Sequence, residues 1–148
     1  MPANDKEAHV PIWFTLKIGG AESAGLFKEA TGFDSESETV EIKRSMPNGK
    51  TDVIKAMGNT KWGDIELKRG VDQDKTLWEW RKLIIDGKLK DARKDCTVTM
   101  MDYELKPVVT YSIINAWPKK YTGVGLKADS NEVAVEGITL CHEGFEIK

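Results

Sequence analysis

Cysteine and histidine are scarce in this chain, which has two of each among 148 residues. Cys96 and Cys141 lie in segments with strand-like alternation, which favours two buried, reduced thiols over a disulfide. Cys141 and His142 are neighbours in a predicted strand and therefore point to opposite faces, which argues against a dyad or a shared metal site. Zinc ligand spacings do not occur. We therefore expect no metal and no cofactor.

Catalytic constellations are equally hard to assemble. A Ser-His-Asp or Cys-His arrangement would have to use His9 or His142. The carboxylates are spread over predicted strand faces, and Gly123-Val124-Gly125 lacks both the remaining glycine and the following helix of a phosphate-binding loop. The sequence predicts that the protein is not an enzyme. An enzyme would need a pocket that joins His142 to carboxylates.

Excess charge and long apolar runs are also missing. Lys and Arg number 22 against 24 Asp and Glu, a formal net charge of −2, which argues against binding nucleic acid by bulk charge. The longest apolar-leaning run, residues 12–18, contains Lys17 and is far shorter than the ~20 residues of a spanning helix. Residues 1–11 lack the pattern of a signal peptide. We expect synthesis in the cytoplasm, without a membrane anchor.

The composition is typical of one soluble domain, residues 1–148, with a flexible N-terminal arm at residues 1–11. Period-two alternation of apolar and polar residues predicts seven strands. They span residues 12–18, 26–33, 39–44, 64–68, 96–101, 109–113 and 131–146. This spacing predicts a mainly β fold: two packed antiparallel sheets in a β-barrel-like sandwich with one flanking α-helix.

The predicted helix follows the fourth strand. Leu77, Trp80 and Ile84 recur at helical spacing and predict the face that covers the core, which Trp78 and Ile85 widen. Asp72 or Asp74 can cap its start, and Gly87 lies where a left-handed terminating residue belongs. Residues 88–95 alternate in charge and predict a solvated connection.

The last predicted strand changes phase. Val133 and Val135 fall on one face, whereas Ile138 and Leu140 fall on the other. A β-bulge at Gly137 would produce this change.

Residues 45–61 are predicted to form a long loop. Connections of this length inside a compact domain are usually functional or interactive, so we expect contacts with a partner here, with a plain surface loop as the alternative. The residues assigned to these contacts are Met46, Pro47, Asn48, Gly49, Lys50, Val53, Ile54 and Met57.

Several predicted strands present small or hydrated side chains on one face. These are Thr39, Glu41, Lys43, Thr97, Thr99, Thr110 and Ser112. Two interpretations fit: the exposed sheet face of a monomer, or the lining of a water-filled lumen in a closed barrel of several subunits, which would leave no sheet edge unpaired.

Five sequence blocks in order resemble the tail tube proteins of contractile-tailed phages and of extracellular contractile injection systems. The blocks are Trp62–Val71, Leu77–Arg81, Asn115–Tyr121, Asn131–Leu140 and His142–Phe145. The resemblance covers residues 12–146 and extends to the inner tube protein of type VI secretion.

This resemblance implies a structural protein whose six copies form a ring, with rings stacked into a hollow tube inside a contractile sheath. The implied partners are the protein itself, the sheath protein, baseplate and spike proteins at one end, a terminator at the other, and protein cargo or DNA in the lumen. It implies assembly into a phage tail or a tail-like particle that can be released from the cell, and it favours an injection system. The alternative is a β-sandwich that does not assemble and binds a ligand or partner.

Overall fold

The computed structural model describes residues 13–20, 23–70, 75–123 and 134–148. Within these ranges it has ten strands and two helices. They are β1 (Trp13–Ile18), β2 (Ser23–Phe27), β3 (Glu29–Thr31), β4 (Ser35–Ser45), β5 (Thr51–Trp62), β6 (Ile65–Gly70), α1 (Thr76–Ile85), α2 (Leu89–Ala92), β7 (Lys94–Met101), β8 (Pro107–Thr122), β9 (Val135–Cys141) and β10 (Gly144–Ile147). The predicted arm at residues 1–11, Asp72, Asp74 and Val133 lie outside the described residues.

Eight of the strands form one antiparallel sheet in the order β2-β1-β7-β8-β9-β6-β3, with β10 also paired to β8. The strands at the two ends of this order, β2 and β3, are consecutive in the chain and are joined by Lys28. The Lys28 backbone N–H donates to the Lys68 carbonyl of β6 at 2.9 Å. The sheet therefore curls back on itself into a barrel-like sandwich, which confirms the predicted fold class.

Strand β8 is the corner of this barrel. Its first half pairs with β7 and β10, and its second half pairs with β9. The register against β9 shifts between Pro118 and Lys120, as expected where a strand bends from one sheet into the next. One long strand thus divides the barrel into a half built on β1 and β7 and a half built on β6 and β9.

Alternating apolar residues from both halves fill the interior. The larger strand side chains that are buried to within 1% exposure include Leu16, Phe27, Ile65, Leu67, Val98, Ile113, Ile138 and Leu140. Helix α1 lies across the barrel, with Leu77 fully buried, Trp80 3% exposed and Ile84 packed against the core cluster. The indole N–H of Trp80 donates to the Ala92 carbonyl at 2.6 Å, which ties α1 to α2.

The predicted helix differs from the structure at its start and in the width of its buried face. It begins at Thr76, directly after Lys75. Trp78 and Ile85 are exposed, so they do not extend its buried face. The predicted connection after it contains α2, because Ala92 is apolar and small enough to bury under Trp80. Gly87 has a φ of 80°, the left-handed conformation predicted for it.

Two predictions about strands were wrong. The single strand at residues 26–33 is two short strands, because the chain changes partner from β1 to β6 at Lys28. No bulge lies at Gly137, since β6 and β9 stay in register throughout. The apparent phase change arose because Glu136, not Val135, points into the interior, and a buried Arg69 makes this possible.

The predicted loop at residues 45–61 was also wrong. Residues 51–62 form β5, which pairs antiparallel with β4 over almost its whole length in a separate two-stranded sheet. The connecting turn is short, and the Gly49 N–H donates to the Met46 carbonyl at 3.0 Å. Exposed Val53 and Ile54 suit a strand, and cross-strand partners support them. The long connection is therefore a projecting hairpin.

Candidate assembly surfaces

A band of small polar side chains crosses the outer face of the β1-β7-β8 sheet. The register places Thr97 beside Ser112 and Thr99 beside Thr110. Thr15 on β1 lies beside Thr99 and extends the band by one strand. All five side chains are partly accessible, and the alternate residues of the same strands fill the barrel interior. The structure thus brings these four candidate lumen residues together on the face opposite the core.

The band ends in one base and one acid. Lys17 lies beside Thr97, and Glu146 of β10 lies beside Ser112. Both charged side chains are exposed. The face is therefore hydrated and nearly neutral across four strands, β1, β7, β8 and β10, from one base to one acid.

The other three candidate lumen residues are not part of this band. Thr39, Glu41 and Lys43 lie on β4, in the separate two-stranded sheet. Alternation along a strand cannot reveal which sheet the strand joins, so the sequence grouped residues that one subunit keeps apart. They share the more polar face of the hairpin, on which Glu41 is opposite Lys55. The partners of the other two on this face are apolar: Met57 is opposite Thr39, and Val53 is opposite Lys43.

The opposite face of the hairpin is apolar. Val40 is opposite Ala56, and Ile42 is opposite Ile54. The exposed fractions are 47% for Val40, 50% for Ile42 and 39% for Ile54. Within the described part of the chain, β4 and β5 pair with no strand but each other. A two-stranded hairpin has only marginal stability in water unless one face is covered. We therefore expect another surface to pack on this apolar face.

Polar contacts across the hairpin fix its register. Arg44 and Asp52 form an ion pair of 3.0 Å near the turn, and Lys61 and Glu38 form one of 2.6 Å nearer the base. Each pair is exposed and contributes little by itself. Both connect β4 to β5 and leave the apolar face between them without charge.

An aromatic cluster anchors the hairpin to the barrel. Trp62, at the end of β5, packs edge-on against Phe145 with ring centroids 5.0 Å apart. Phe33, just before β4, stacks on Tyr111 at 4.2 Å. Gly144 has a φ of 148° and lies against the Trp62 ring, where a Cβ would come within 3.1 Å of it. Both ends of the hairpin are thereby attached beside β10.

His142 belongs to this anchor. Its Nε2–H donates to the Gly63 carbonyl at 2.7 Å, and its Nδ1 accepts from the Gly144 N–H at 3.1 Å. Both ring nitrogens are occupied by backbone groups, so the histidine holds a turn and has no nitrogen free for proton transfer. Cys141 is a free thiol on the neighbouring position.

A buried ion pair lies inside the barrel and was missed by sequence reasoning. Arg69 donates through Nε to Glu136 Oε1 at 2.6 Å, and their exposed fractions are 2% and 6%. The guanidinium also lies over the Phe27 ring at 5.6 Å. The available signal was alternation: Arg69 continues the inward phase of Ile65 and Leu67.

Tyr121 completes this polar group. Its hydroxyl donates to Glu136 Oε2 at 2.5 Å. That hydrogen bond, together with burial and the nearby carboxylate charge, raises the pKa of Tyr121 to about 12. Trp78 of α1 packs edge-on against the Tyr121 ring at 5.5 Å. The contacts connect β6, β9, β8 and α1.

Cys96 is a buried free thiol. Burial raises the pKa of the Cys96 thiol to about 12, which keeps it protonated and unreactive. No three His, Cys, Asp or Glu side chains described by the structure are placed to hold a metal ion. Of the helices in those ranges, none has the length and apolarity to cross a membrane.

The described chain thus combines a filled barrel with a polar sheet face and an exposed apolar face on its hairpin. Residues 10–146 match the family of the T4-like virus tail tube protein gp19. The chain belongs to this family of tail tube proteins, which are structural subunits and not enzymes. This confirms the resemblance and the predicted absence of catalysis.

Solved structures agree with this assignment. The chain is similar to a protein of the extended PVC sheath-tube complex, an extracellular contractile injection system, with a TM-score of 0.76, 22% identity and coverage of 97% of this chain and 93% of that one. The tube-terminating cap of the anti-feeding prophage has a TM-score of 0.72 and 25% identity, and the match covers 100% of this chain and 97% of that one. Hcp1 from Flavobacterium johnsoniae has a TM-score of 0.53 and 14% identity, with coverage of 91% of this chain and 94% of that one. Among curated protein sequences, none matches significantly.

Proposed function

We propose that six copies of this chain form a ring, that rings stack into a hollow tube, and that a contractile sheath drives the tube through a target envelope. The observation that carries this proposal is the polar band opposite the core, which gives a subunit of this family a face suited to water. Similarity to the PVC sheath-tube structure supports the sheath as a partner. Similarities to an anti-feeding prophage cap and baseplate support a terminator at one end and baseplate and spike proteins at the other.

The polar band lines the lumen in this proposal. Thr97, Thr99, Thr110 and Ser112 form its centre, and Lys17 and Glu146 nearly cancel in charge. A moving protein chain would adhere to an apolar wall or to a wall of opposite charge. Short hydroxyl side chains hold water instead, so cargo can slide.

The width of the lumen follows from the strand count. Four strands carry the band, so six subunits supply about twenty-four strands, and a spacing of ~4.8 Å gives an untilted circumference of about 115 Å. Strand tilt raises the backbone diameter to roughly 40–50 Å, before side chains narrow it. A compact domain of about 100 residues has a radius of gyration near 13 Å. Cargo is therefore small, elongated or partly unfolded.

The apolar face of the hairpin meets a neighbouring copy of the chain, in the same ring or in the next one. Val40, Ile42 and Ile54 lose their exposed area in that contact, and the polar face with Glu41 and Lys43 turns toward the lumen. Of the loop residues assigned from the sequence, Met57 is 90% exposed and lies on the polar face. Pro47, Asn48, Gly49 and Lys50 form the turn at the far end, next to Met46.

The tube belongs to an injection system that carries protein in this proposal, in preference to a DNA-conducting phage tail. The support is the graded likeness, with a TM-score of 0.76 to the PVC structure against 0.57 to a gene transfer agent virion. A nearly neutral wall neither binds a polypeptide strongly nor repels it, so a polypeptide can pass along it. The subunit is made in the cytoplasm and leaves the cell within the assembled particle.

Electron microscopy of the purified chain tests the proposal. We expect rings or tubes with sixfold symmetry, and a map in which the Thr97–Ser112 band faces the lumen. A protein that stays monomeric at tens of micromolar, or a band found on the outer wall, would contradict it. A variant with Ile42→Ser and Ile54→Ser should fold but not assemble, whereas Lys43→Ser with Lys55→Ser, on the opposite face, should still form tubes.

A further inference from the structure

The turn between β7 and β8 presents two bulky side chains to solvent. Tyr103 is 73% exposed and Leu105 is 54% exposed. The Asp102 carboxylate accepts hydrogen bonds from the backbone N–H groups of Glu104 and Lys106 at 2.9 and 3.0 Å. The Leu105 N–H donates to the Asp102 carbonyl at 2.9 Å. Hydrogen bonds therefore fix the conformation of the turn, while the side chains of Tyr103 and Leu105 remain exposed to solvent.

Leu105 is an unfavourable residue for its place. Its φ of 61° lies in the left-handed region, where glycine or asparagine would fit with less strain. An exposed leucine gains nothing from the fold that would offset this strain. Strained backbone positions of this kind cluster at functional sites, where the surrounding structure maintains them. We define Tyr103 and Leu105 as the tip.

An apolar hollow lies at the opposite end of the same strands. It measures about 340 Å³ and lies between α1 and the ends of β1 and β7. The described residues that line it are Ile18, Thr76, Glu79, Trp80, Leu83 and Lys94. Trp13 pairs with Met101 beside the tip, whereas Ile18 pairs with Cys96 beside the hollow. At ~3.3 Å per residue, the eight residues of β7 separate the two features by roughly 25 Å.

Both features carry exposed charges of both signs. Beside the tip, Lys106 and Glu104 form an exposed ion pair of 3.1 Å. At the hollow, Glu79 and Lys94 are both exposed. Each feature therefore has charges of both signs around an apolar centre, and Asp102 adds a second carboxylate at the turn. Acids and bases of the two features can exchange partners when the two surfaces meet.

We infer that the tip of one subunit inserts into the hollow of a second copy in the next ring, an inference that rests on the proposed tube. A projection at one end and a recess at the other form a head-to-tail contact, which repeats without limit along a line. A stack of rings requires such a contact along its axis. The same contact gives the tube a direction, with tips facing one end and hollows the other.

Cysteine cross-linking tests the inference. Tyr103→Cys and Glu79→Cys are combined with Cys141→Ser, and assembled tubes are oxidised mildly and separated on a denaturing, non-reducing gel. We expect a ladder that continues beyond six subunits, since each link joins consecutive rings. A ladder that ends at six places the contact within one ring and overturns the inference. Tubes without cross-links also overturn it, whereas wild-type protein without tubes overturns the proposed function instead.

Tyr103→Cys with Glu29→Cys, an exposed position on β3, is the matched control and should give no ladder. A second variant keeps the inference falsifiable if the double cysteine protein fails to assemble. Leu105→Gly should leave the melting temperature of the unassembled subunit unchanged or higher, because it relieves the strain. It should shorten tubes at least tenfold. Tubes of normal length from Leu105→Gly combined with Tyr103→Ser would overturn the inference.

Discussion

Arg69 and Glu136 face each other across β6 and β9, with Arg69 Nε 2.6 Å from Glu136 Oε1 inside the barrel. Each residue lies on the inward face of its strand. Aliphatic residues occupy the other inward positions nearby, such as Leu67 and Ile138. The pair is satisfied by Tyr121 and by the Phe27 ring, so neither charge is isolated. The pair forms in the observed register, in which Arg69 is directly opposite Glu136.

Removing one partner of the Arg69–Glu136 pair should destabilise the fold more than replacing both partners with apolar residues. Arg69→Met leaves a buried carboxylate without its cation and is expected to lower the free energy of unfolding by about 3–5 kcal/mol. The double change Arg69→Met and Glu136→Leu should recover most of that loss. Urea unfolding of the three proteins measures the difference, and equal losses in the single and double variants would contradict the role assigned to the pair.

The hydroxyl of Tyr121 predicts a stability change at alkaline pH. The neutral phenol donates to Glu136, and its pKa is raised to about 12 in the folded protein against about 10 in an unfolded chain. A raised pKa means that the stabilisation is fully present below about pH 10 and is lost as the pH rises toward 12. The stability difference between wild type and Tyr121→Phe should therefore shrink over this interval. Tyr103→Phe, which removes an exposed hydroxyl outside this polar group, is the matched control variant.

Trp80 carries much of the attachment of α1. It is 3% exposed and donates to the Ala92 carbonyl, so Trp80→Ala should cost about 3–5 kcal/mol. Trp78→Ala, on the exposed side of the same helix, should cost far less. Thermal unfolding of the two variants distinguishes them, and equal melting temperatures would show that the helix is not held by its buried tryptophan.

Aromatic rings in the polar band should obstruct the tube without preventing its assembly. Thr99 and Thr110 are neighbours across β7 and β8, and Phe at both positions would form one apolar patch on the lumen wall. The hexameric rings of the proposed tube should assemble as in wild type, while cargo is retained inside the tube or excluded from it. Mass spectrometry of purified particles measures the cargo. Thr99→Ser with Thr110→Ser preserves the hydroxyls and should behave as wild type, and unobstructed passage past the Phe variant would contradict the lumen assignment.

The sequence by itself determined the β character of the chain, the helical face of Leu77 and Trp80, and the polar row from Thr97 to Ser112, because these depend on the spacing of residues within one element. The tertiary structure decided what depends on distant partners. Residues 51–62 became a strand through pairing with β4. Glu136 became an interior residue because Arg69, 67 positions away in the chain, neutralises it. Periodicity reports the two faces of a strand, but the energy of burying either face depends on the strands packed against it.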